Sequence, residues 1–296
     1  MLPVYQSAPN FSEGRDDAVL AALQEAARAP GTVLADFSAD PDHNRCVATL
    51  LGDAPGLEQA ALQMAAVAVE RIHLTRHAGA HPRIGALDVL PFIPFRDATM
   101  EGADRLARTV GRRIADELGV PVYLYAASAA TPERAPLPVL RKGGYEGLAE
   151  KLRAVPPDFG PLAPHPTAGA TVVGARSPLL AYNVNLATDD LVLARRIAAR
   201  LRESAGGLPG VRALGLRLQN LGCVQVSVNI TDVRAATLVT VYRAVESLAA
   251  EAGVSVRNSE LIGGIALDSV LAALNEAVMG DIRRTQVLDT HLHAIV

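Results

Sequence analysis

The sequence contains no tryptophan, only two cysteines, and no run of about 18 apolar residues that could cross a membrane as a helix. Cys46 and Cys223 are far apart and form no Cys-x-x-Cys pair, which excludes a disulfide framework and a zinc ribbon. Residues 1–10 lack the basic segment and following apolar segment of a secretory signal. We therefore expect a cytoplasmic protein with two buried thiols.

An excess of positive charge is also missing. The 28 lysines and arginines are balanced by 31 aspartates and glutamates, so the chain as a whole is not marked as a binder of nucleic acid or of a membrane surface. Three sequence motifs are absent: the Gly-x-x-x-x-Gly-Lys-Ser/Thr loop, the Gly-x-Gly-x-x-Gly turn and the Gly-x-Ser-x-Gly elbow. The expected partner is a small molecule or another protein.

Half of the 296 residues are hydrophobic, enough for one large domain or two of moderate size. In the first half, the hydrophobic period switches between two and 3.6 residues, which predicts the order β-α-β-β-α-β with a further helix and strand. The predicted strands cover residues 4–8, 32–37, 46–51, 86–95 and 122–125, and the predicted helices cover residues 17–28, 56–77 and 99–118. Pro91 and Pro94 predict that strand 86–95 is broken or lies at an edge.

The second half repeats this order with strands at residues 180–186, 211–218, 223–230 and 254–257 and helices at residues 190–204, 237–252 and 267–278. Two such modules in series predict an α/β (α+β) protein with two ferredoxin-like subdomains, at residues 1–177 and 178–296. Eight of the nineteen prolines lie between residues 132 and 166. We interpret residues 132–170 as a connector and not a core element, either a flexible linker or an ordered crossing that lines a ligand cleft.

The first polar cluster follows the first predicted strand and precedes the first helix. Ser12 is predicted to cap that helix, and Glu13 to complement its dipole. Asn10, Gly14 and Arg15 exceed what capping needs. A helix N-terminus beside an arginine also suits a carboxylate, so a capping role and a ligand-binding role both stay open.

The second polar cluster runs from Asp36 to Arg45, between the second and third predicted strands. Aspartate, proline and asparagine all favour turns, so a solvated turn explains most of this segment. A functional interpretation needs only Arg45, which could hold a carboxylate in two parallel hydrogen bonds.

The third polar cluster contains four residues with possible chemistry. His73 and His77 are four apart on a predicted helix and could chelate a metal, yet no glutamate follows as in His-Glu-x-x-His. We therefore expect no metal. His81 lies beyond the predicted helix end with Arg83 beside it, and histidine in a loop is a common proton carrier.

These clusters resemble the formiminotransferase family, and the similarity extends from about Val4 to the last helix. The matching segments follow the family pattern in order: Pro9-Asn10-Phe11-Ser12-Glu13-Gly14, Asn44-Arg45, the run from Arg76 through His77, Gly79, His81-Pro82-Arg83 and Gly85 to Pro94, and residues 120–125, 157–161, 169–171, 174–176 and 183–186.

This resemblance implies two ferredoxin-like subdomains, a homodimer, and tetrahydrofolate bound as co-substrate in a cleft between the subdomains. It also implies that His81 is the catalytic acid and base. The folate-contacting loop of the family falls on residues 160–169, where the matching residues are Gly160, Pro161, Pro166 and Gly169. For the substrate carboxylates we predict Arg45 and Arg83 as the binding residues, with Asn10 orienting polar atoms.

The activity implied by the resemblance is transfer of a formimidoyl group between N-formimidoyl-L-glutamate and tetrahydrofolate. Formyl transfer between glutamate and the same folate is an alternative, and so is a folate-binding protein without turnover. The second alternative is suggested by Ser38, where animal enzymes of the family have aspartate. The cyclodeaminase domain that is fused to the animal enzymes does not follow, so a separate protein is expected to act on the product.

Overall fold

A computed structural model describes residues 2–79, 82–287 and 289–290. The chain forms two compact units, Met1–Pro178 and Leu179–Val296. Among the described residues, no helix has both the length and the apolar character that a membrane crossing requires.

The first unit contains a seven-stranded sheet. Its strands are β1 (Val4–Ser7), β2 (Asn10–Phe11), β3 (Thr32–Asp40), β4 (Arg45–Gly52), β5 (Leu87–Arg96), β6 (Val122–Leu124) and β7 (Thr171–Ala175). Strand β4 pairs antiparallel with β1, β2 and β3, and both β1 and β2 also pair antiparallel with β5. The short strands β1 and β2 therefore both lie between β4 and β5, one after the other along the same line of the sheet. Strand β7 lies between β5 and β6 and is parallel to both.

Three helices cover one face of this sheet: α1 (Asp17–Ala26), α2 (Ala54–Arg71) and α3 (Met100–Leu118). Their apolar residues share a core with Phe11, Leu50 and Phe92 of the sheet, all fully buried. Helix α3 is preceded by its N-cap residue Thr99, whose hydroxyl accepts the Gly102 N–H, and followed by its C-cap residue Gly119 in the left-handed conformation with φ of 66°. A C-terminal glycine of this kind is a common helix stop.

Two short helices, α4 (Leu137–Arg141) and α5 (Leu148–Ala154), form a second core on the opposite face of the sheet. Leu140, Leu148 and Leu152 are at most 2 % exposed and pack with Tyr123 and Val172 of β6 and β7. The prediction that residues 132–170 form a connector and not a core element is wrong, because the leucines of this segment bury the sheet.

Strand β5 lies in the middle of the sheet, with β1 and β2 on one side and β7 on the other. The prediction that Pro91 and Pro94 confine it to an edge or break it is wrong. Pro94 pairs with Tyr5 next to a register shift, an irregularity of the kind that accommodates proline in a sheet. The carbonyl of Pro91 accepts a hydrogen bond from the Ser7 hydroxyl at 2.8 Å.

Helix α2 ends at Arg71, six residues before the predicted end at His77. The next residue, Ile72, is extended and buried, and a short 3₁₀ turn follows at Leu74–Arg76. The backbone N–H of Leu74 donates to the carbonyl of Thr167 at 2.8 Å. The chain therefore leaves the helix to pair with a segment more than ninety residues later.

The second unit contains a four-stranded sheet in the order β11-β8-β10-β9, with every pair antiparallel. Its elements are β8 (Leu180–Leu186), α6 (Leu191–Leu201), β9 (Val211–Leu218), β10 (Cys223–Ile230), α7 (Leu238–Ala250), β11 (Val256–Ile262) and α8 (Leu267–Val278). Val184, Val224 and Val226 point to the face where Ile197 and Val241 of the helices pack. Shorter 3₁₀ turns lie at Ala126–Ser128, Pro132–Arg134, Glu203–Ala205 and Arg284–Gln286.

The predicted class, a mixed α/β protein with two subdomains in series, is confirmed. Each unit contains the predicted order β-α-β-β-α-β, with the first strand of the first unit divided into β1 and β2. The first unit then adds α3, β6, α4, α5 and β7. The assignment of either sheet to the ferredoxin-like fold stays a prediction.

Candidate active site

Asn44 connects the three polar clusters that the sequence indicated. It is buried and lies in the left-handed conformation, with φ of 48°, which asparagine tolerates better than most residues. Its Oδ1 accepts the N–H of Gly14 at 3.0 Å, and its Nδ2 donates to the carbonyl of Ala78 at 3.1 Å. Its own carbonyl lies 2.9 Å from Nε2 of His77. One side chain and one carbonyl therefore fix three loops to each other.

Two glycines allow these loops to approach so closely. A Cβ atom on Gly14 would lie 2.3 Å from the carbonyl oxygen of Asp40 and 2.6 Å from the backbone nitrogen of Arg45. A Cβ atom on Gly79 would lie 2.2 Å from the carbonyl oxygen of His43. Both contacts are with backbone atoms, which cannot move aside as a flexible side chain can. The close packing of the three loops therefore requires glycine at both positions.

The first helix is capped by its own carboxylates. Asp16 is the N-cap residue and accepts two N–H groups of the first turn, and Oε1 of Glu13 accepts the N–H groups of the next three residues at 2.7 to 3.0 Å. The prediction that Ser12 caps this helix is wrong, because its buried hydroxyl donates to the carbonyl of Gly85 at 2.7 Å. The structure therefore shows the capping role, although through other residues than Ser12. Glu13 and Asp16 accept the backbone N–H groups that could have bound a ligand.

Arg45 and Asn10 lie on neighbouring strands and bind each other. Arg45 begins β4, Asn10 begins β2, and Nη2 of Arg45 donates to Oδ1 of Asn10. Asn10 is itself fixed, because its Nδ2 donates to the carbonyl of Ala8 at 2.6 Å. Burial and then Arg141 lower the pKa of Arg45 to about 9, while Asp88 acts to raise it. This pKa lies above neutral pH, so the guanidinium is a partly buried, oriented positive charge.

Asp88 and Arg141 form a buried ion pair beside Arg45. The distance from Nη2 of Arg141 to Oδ2 of Asp88 is 2.5 Å, and the two side chains are 13 % and 3 % exposed. The other oxygen of Asp88 accepts the N–H of Ile84 at 2.9 Å. Both oxygens of Asp88 are therefore engaged, one by a guanidinium and the other by a backbone donor.

Arg83 lies between His77 and Glu146. Its Nε donates to Nδ1 of His77 at 2.9 Å, and its two terminal nitrogens contact the carboxylate of Glu146 at 2.9 and 3.3 Å. Burial chiefly lowers the pKa of His77, against the raising effect of its hydrogen bond to Asn44, and the charge of Arg83 lowers it further. The ring is therefore neutral near pH 7, with its proton on Nε2. Arg83, predicted to bind a substrate carboxylate, already binds a carboxylate of the protein.

The arrangement around His77 bears on the question of a metal. His73 and His77 do not share a helix, since α2 ends at Arg71. Both ring nitrogens of His77 are engaged, one by Asn44 and the other by Arg83. Within residues 2–79, 82–287 and 289–290, no three histidine, cysteine, aspartate or glutamate side chains are grouped to hold a metal ion.

His81, predicted to be the catalytic acid and base, lies outside the described residues, and so does Ala80. The chain on either side of them is well anchored. Gly79 packs against His43 as described, and Arg83 makes the contacts to His77 and Glu146. The role of His81 stays a prediction.

The end of the predicted folate loop packs against the third cluster. Gly169 has a φ of 71°, and a Cβ atom there would lie 2.2 Å from the carbonyl oxygen of Ile84. His165 and Gly169 exchange two backbone hydrogen bonds at 2.9 and 3.1 Å, which closes a tight turn. The carbonyl of Pro166, inside this turn, accepts the Tyr145 hydroxyl at 3.4 Å. Pro166 and Gly169 are thereby placed beside the segment that leads to Asp88.

The start of the same loop has a different environment. Gly160 has a φ of 89°, and its Cβ position would lie 3.1 Å from both the Ala115 side chain and the Val120 carbonyl. Pro161, the next residue, is exposed. Gly160 therefore packs at the C-terminal end of α3, and the predicted contact of Gly160 and Pro161 with folate stays a prediction.

Sequence reasoning did not identify Arg141 and Glu146 as part of this site. Both come from the proline-rich segment that we interpreted as a connector. The one available signal was the basic pair Arg141-Lys142 before two glycines in a segment that is otherwise largely apolar. Their partners Asp88 and Arg83 are more than fifty residues away in sequence, a separation at which no local pattern predicts a contact.

Known protein families match both units. Residues 4–176 match the N-terminal subdomain of the formiminotransferase domain, and residues 181–285 match the formiminotransferase domain. The chain is 43 % identical over 266 residues to glutamate formimidoyltransferase of Streptococcus pyogenes serotype M1, covering 89 % of each chain. It is 40 % identical over 267 residues to glutamate formimidoyltransferase of Thermoplasma acidophilum, covering 88 % of each.

The similarity extends to longer proteins. The chain is 44 % identical over 282 residues to formimidoyltransferase-cyclodeaminase of Sus scrofa. The matched region covers 92 % of this chain but only 52 % of the longer protein. The chain thus spans about half the length of these bifunctional relatives. Because the family matches extend over both units and the relatives match along nearly the whole chain, the protein belongs to the formiminotransferase family.

Proposed function

We propose that this protein is a glutamate formimidoyltransferase that uses tetrahydrofolate as its co-substrate. The observation that carries this proposal is the similarity to two proteins named glutamate formimidoyltransferase, along almost nine tenths of each chain. The same names favour transfer of a formimidoyl group over transfer of a formyl group, and they favour an enzyme over a folate-binding protein without turnover.

In the proposed reaction, N5 of tetrahydrofolate attacks the amidine carbon of N-formimidoylglutamate. A new C–N5 bond forms, and a tetrahedral intermediate results. The intermediate collapses as the bond from this carbon to the glutamate nitrogen breaks. The proton lost by N5 is balanced by a proton delivered to the departing glutamate nitrogen, so the products are 5-formimidoyltetrahydrofolate and glutamate.

We propose His81 as the group that takes the N5 proton and returns a proton to the leaving nitrogen. Proton transfer by a positioned side chain typically contributes about 10² to 10⁴ fold to the rate. The described neighbours of His81 support such a role, because Asn44, His77 and Arg83 anchor the chain on both sides of it. An anchored loop keeps an acid-base group in one geometry relative to its substrates.

Arg45 is the proposed binding residue for a substrate carboxylate. Its charge is partly buried, and its orientation is fixed by Asn10. A fixed guanidinium loses little freedom when it binds a carboxylate. Arg83 has a carboxylate partner in Glu146, 68 % exposed on its side chain. A substrate carboxylate that binds Arg83 would have to displace this partner.

Several further features belong to this proposal. We assign residues 1–177 and 178–296 to the two subdomains of the transferase, and we place Pro166 and Gly169 in the folate-binding loop. A homodimer, a cytoplasmic location and a separate cyclodeaminase acting on the product are likewise proposed. The bifunctional relatives support the last point, because their names join the two activities.

A turnover assay tests the proposal. Purified protein is incubated with tetrahydrofolate and either N-formimidoylglutamate or N-formylglutamate, and the folate product is identified by mass spectrometry. We expect turnover with the formimidoyl donor. Activity with the formyl donor alone would replace the proposed reaction with formyl transfer, and folate binding without turnover of either donor would refute an enzyme of this class.

A further inference from the structure

Asp88 owes its position to an irregularity in the central strand β5. Asn10 pairs with Val89 and the next residue, Phe11, pairs with Leu87, so Asp88 is the extra residue at a register shift. Bulges of this kind redirect a side chain out of the regular alternation. Asp88 thereby reaches both the N–H of Ile84 and the guanidinium of Arg141.

Arg45 lies across β2 from this bulge. Phe11 pairs with Cys46 on one side and with Leu87 on the other, which places Arg45 and Asp88 at the same end of the sheet. Cys46 belongs to the core formed with helices α1 to α3. Because side chains alternate along a strand, Arg45 points to the opposite face.

Arg141 approaches that same face. It ends α4, and its neighbour Leu140 belongs to the same buried cluster as Val89 of β5, on the side away from α1 to α3. Both guanidinium groups therefore lie on the same face as the Asp88 carboxylate. The pKa of Arg45 is lowered first by burial and then by the charge of Arg141, while the charge of Asp88 raises it, so the three charges act on one another. A partly buried site with two positive charges and one negative charge favours an anionic ligand.

A second arginine of the same segment makes a useful comparison. Arg134 pairs with Asp158 at 2.6 Å and its side chain is 19 % exposed, similar to Arg141 with Asp88. The Nε atoms of Arg134 and Arg141 are both buried without a hydrogen-bond partner in the described structure. The difference is in the second arginine: Arg134 stacks on Tyr123 and pairs with Asp158, whereas Arg141 pairs with Asp88 and its charge also acts on Arg45.

We propose that Arg141 acts with Arg45 as a clamp for a carboxylate of the glutamate part of a substrate, and that Asp88 holds Arg141 in place for this task. This inference rests on the proposed function. The ligand chemistry is a carboxylate on a glutamyl group. Two substrates carry such a group, the formimidoyl donor and the glutamate tail of the folate. If the clamp binds the donor, the Arg141 substitutions described below change the discrimination between the donor and its monoamides. If the clamp binds the tail, they change the discrimination between tetrahydrofolate and tetrahydropteroate.

The test compares substrates that differ in one charge. The donors are N-formimidoylglutamate and its two monoamides, in which either the α-carboxylate or the side-chain carboxylate is replaced by a carboxamide. The folates are tetrahydrofolate and tetrahydropteroate, which lacks the glutamate tail. The measured quantity is the ratio of kcat/KM for each substrate to that for its analogue with one carboxylate fewer. This ratio does not change with the fraction of active enzyme, so a purely structural defect leaves it unaltered.

For Arg141→Ala we expect one of these ratios to fall by about 10 to 100 fold, because a charged hydrogen bond is lost only with the acid. The matched control Arg134→Ala should keep every ratio within about twofold of wild type. Arg141→Lys, which retains the charge, should restore part of the ratio and also serves if Arg141→Ala does not fold. An unchanged set of ratios in both Arg141 variants would overturn the proposal.

A binding measurement separates this inference from the proposed function. Calorimetric titration of the wild-type protein and of Arg141→Lys with glutamate, in the absence of folate, tests the clamp without any turnover. Glutamate binding that weakens at least threefold in Arg141→Lys supports a clamp for the donor even if formimidoyl transfer is not the reaction. Binding that is equal in the two proteins, together with an unchanged tetrahydrofolate-to-tetrahydropteroate ratio, would refute the clamp even if the enzyme is active.

Discussion

Replacing Asn44 by alanine should loosen the site more than its small change in volume suggests. The substitution removes the acceptor for the Gly14 N–H and the donor to the Ala78 carbonyl. Each hydrogen bond contributes about 0.5 to 1.5 kcal/mol to stability. The backbone at φ of 48° also costs alanine about 1 to 2 kcal/mol more than a residue that accepts the left-handed region. We expect a loss of about 2 to 5 kcal/mol in the free energy of unfolding.

Two companion substitutions separate these contributions. Asn44→Gly loses the same hydrogen bonds but accepts the left-handed backbone, so it should be less destabilised than Asn44→Ala. Asn44→Asp keeps the acceptor for Gly14 but places a buried carboxylate oxygen against the carbonyl oxygen of Ala78. It should therefore be at least as destabilised as Asn44→Gly. The assay is urea unfolding followed by fluorescence of the tyrosines, since the chain has no tryptophan.

The same variants test whether Asn44, through Ala78 and His77, affects the proposed role of His81. At a temperature well below unfolding, Asn44→Ala should reduce kcat by about tenfold or more, because a small displacement of reacting groups costs much of the advantage of orientation. The reasoning would be refuted if Asn44→Ala lost less than about 1 kcal/mol of stability, or if Asn44→Gly were as destabilised as Asn44→Ala.

Three further predictions concern the neighbouring residues. His81→Ala should lower kcat by about 10² fold or more and leave folate affinity within a few fold, and full activity would remove His81 as the acid-base group. Arg45→Ala should instead weaken substrate binding by about 1.5 to 3 kcal/mol, measured as kcat/KM and as the Kd of glutamate, and unchanged values would argue against it as a binding residue. Burial holds the pKa of folded His77 below that of the unfolded chain, so the unfolded chain binds more protons between the two pKa values. Stability should therefore be fully present above about pH 6.5 and decline as the pH falls below it, and urea midpoints from pH 7.5 to 5 should fall less in His77→Gln than in wild type.

Hydrophobic periodicity was sufficient to predict the strands and helices that bury one face within a single module. Strands β8, β9 and β10 have the predicted bounds of residues 180–186, 211–218 and 223–230, because each alternates between a core face and the other face. Periodicity failed where a distant segment determines the backbone. The apolar Ile72 and Leu74 follow Arg71, yet Leu74 donates its N–H to Thr167, and that contact ends the helix.

Proline content misled the interpretation of residues 132–170 for a related reason. A proline near the start of α4 is compatible with a helix, because the first turn leaves its N–H groups without partners inside the helix. Leu140, Leu148 and Leu152 then supply the apolar surface that a packed segment needs. The sequence contains both these leucines, which favour a packed segment, and eight prolines, which favour an irregular one. Composition alone does not decide between the two structures.

The sequence indicated three separate polar clusters, and the structure shows why they lie close together. Asn10, Arg45 and Asp88 lie on three adjacent strands, so the pairing of β2 with β4 and β5 brings them together once the register is known. Register depends on the turn and bulge geometry of the whole sheet, which a single sequence does not specify. Arg141 reaches the site from outside these strands, through the packing of Leu140. A charged residue that is placed by its apolar neighbour has no signature of its own, and it is found only when the partner carboxylate and the buried face are known together.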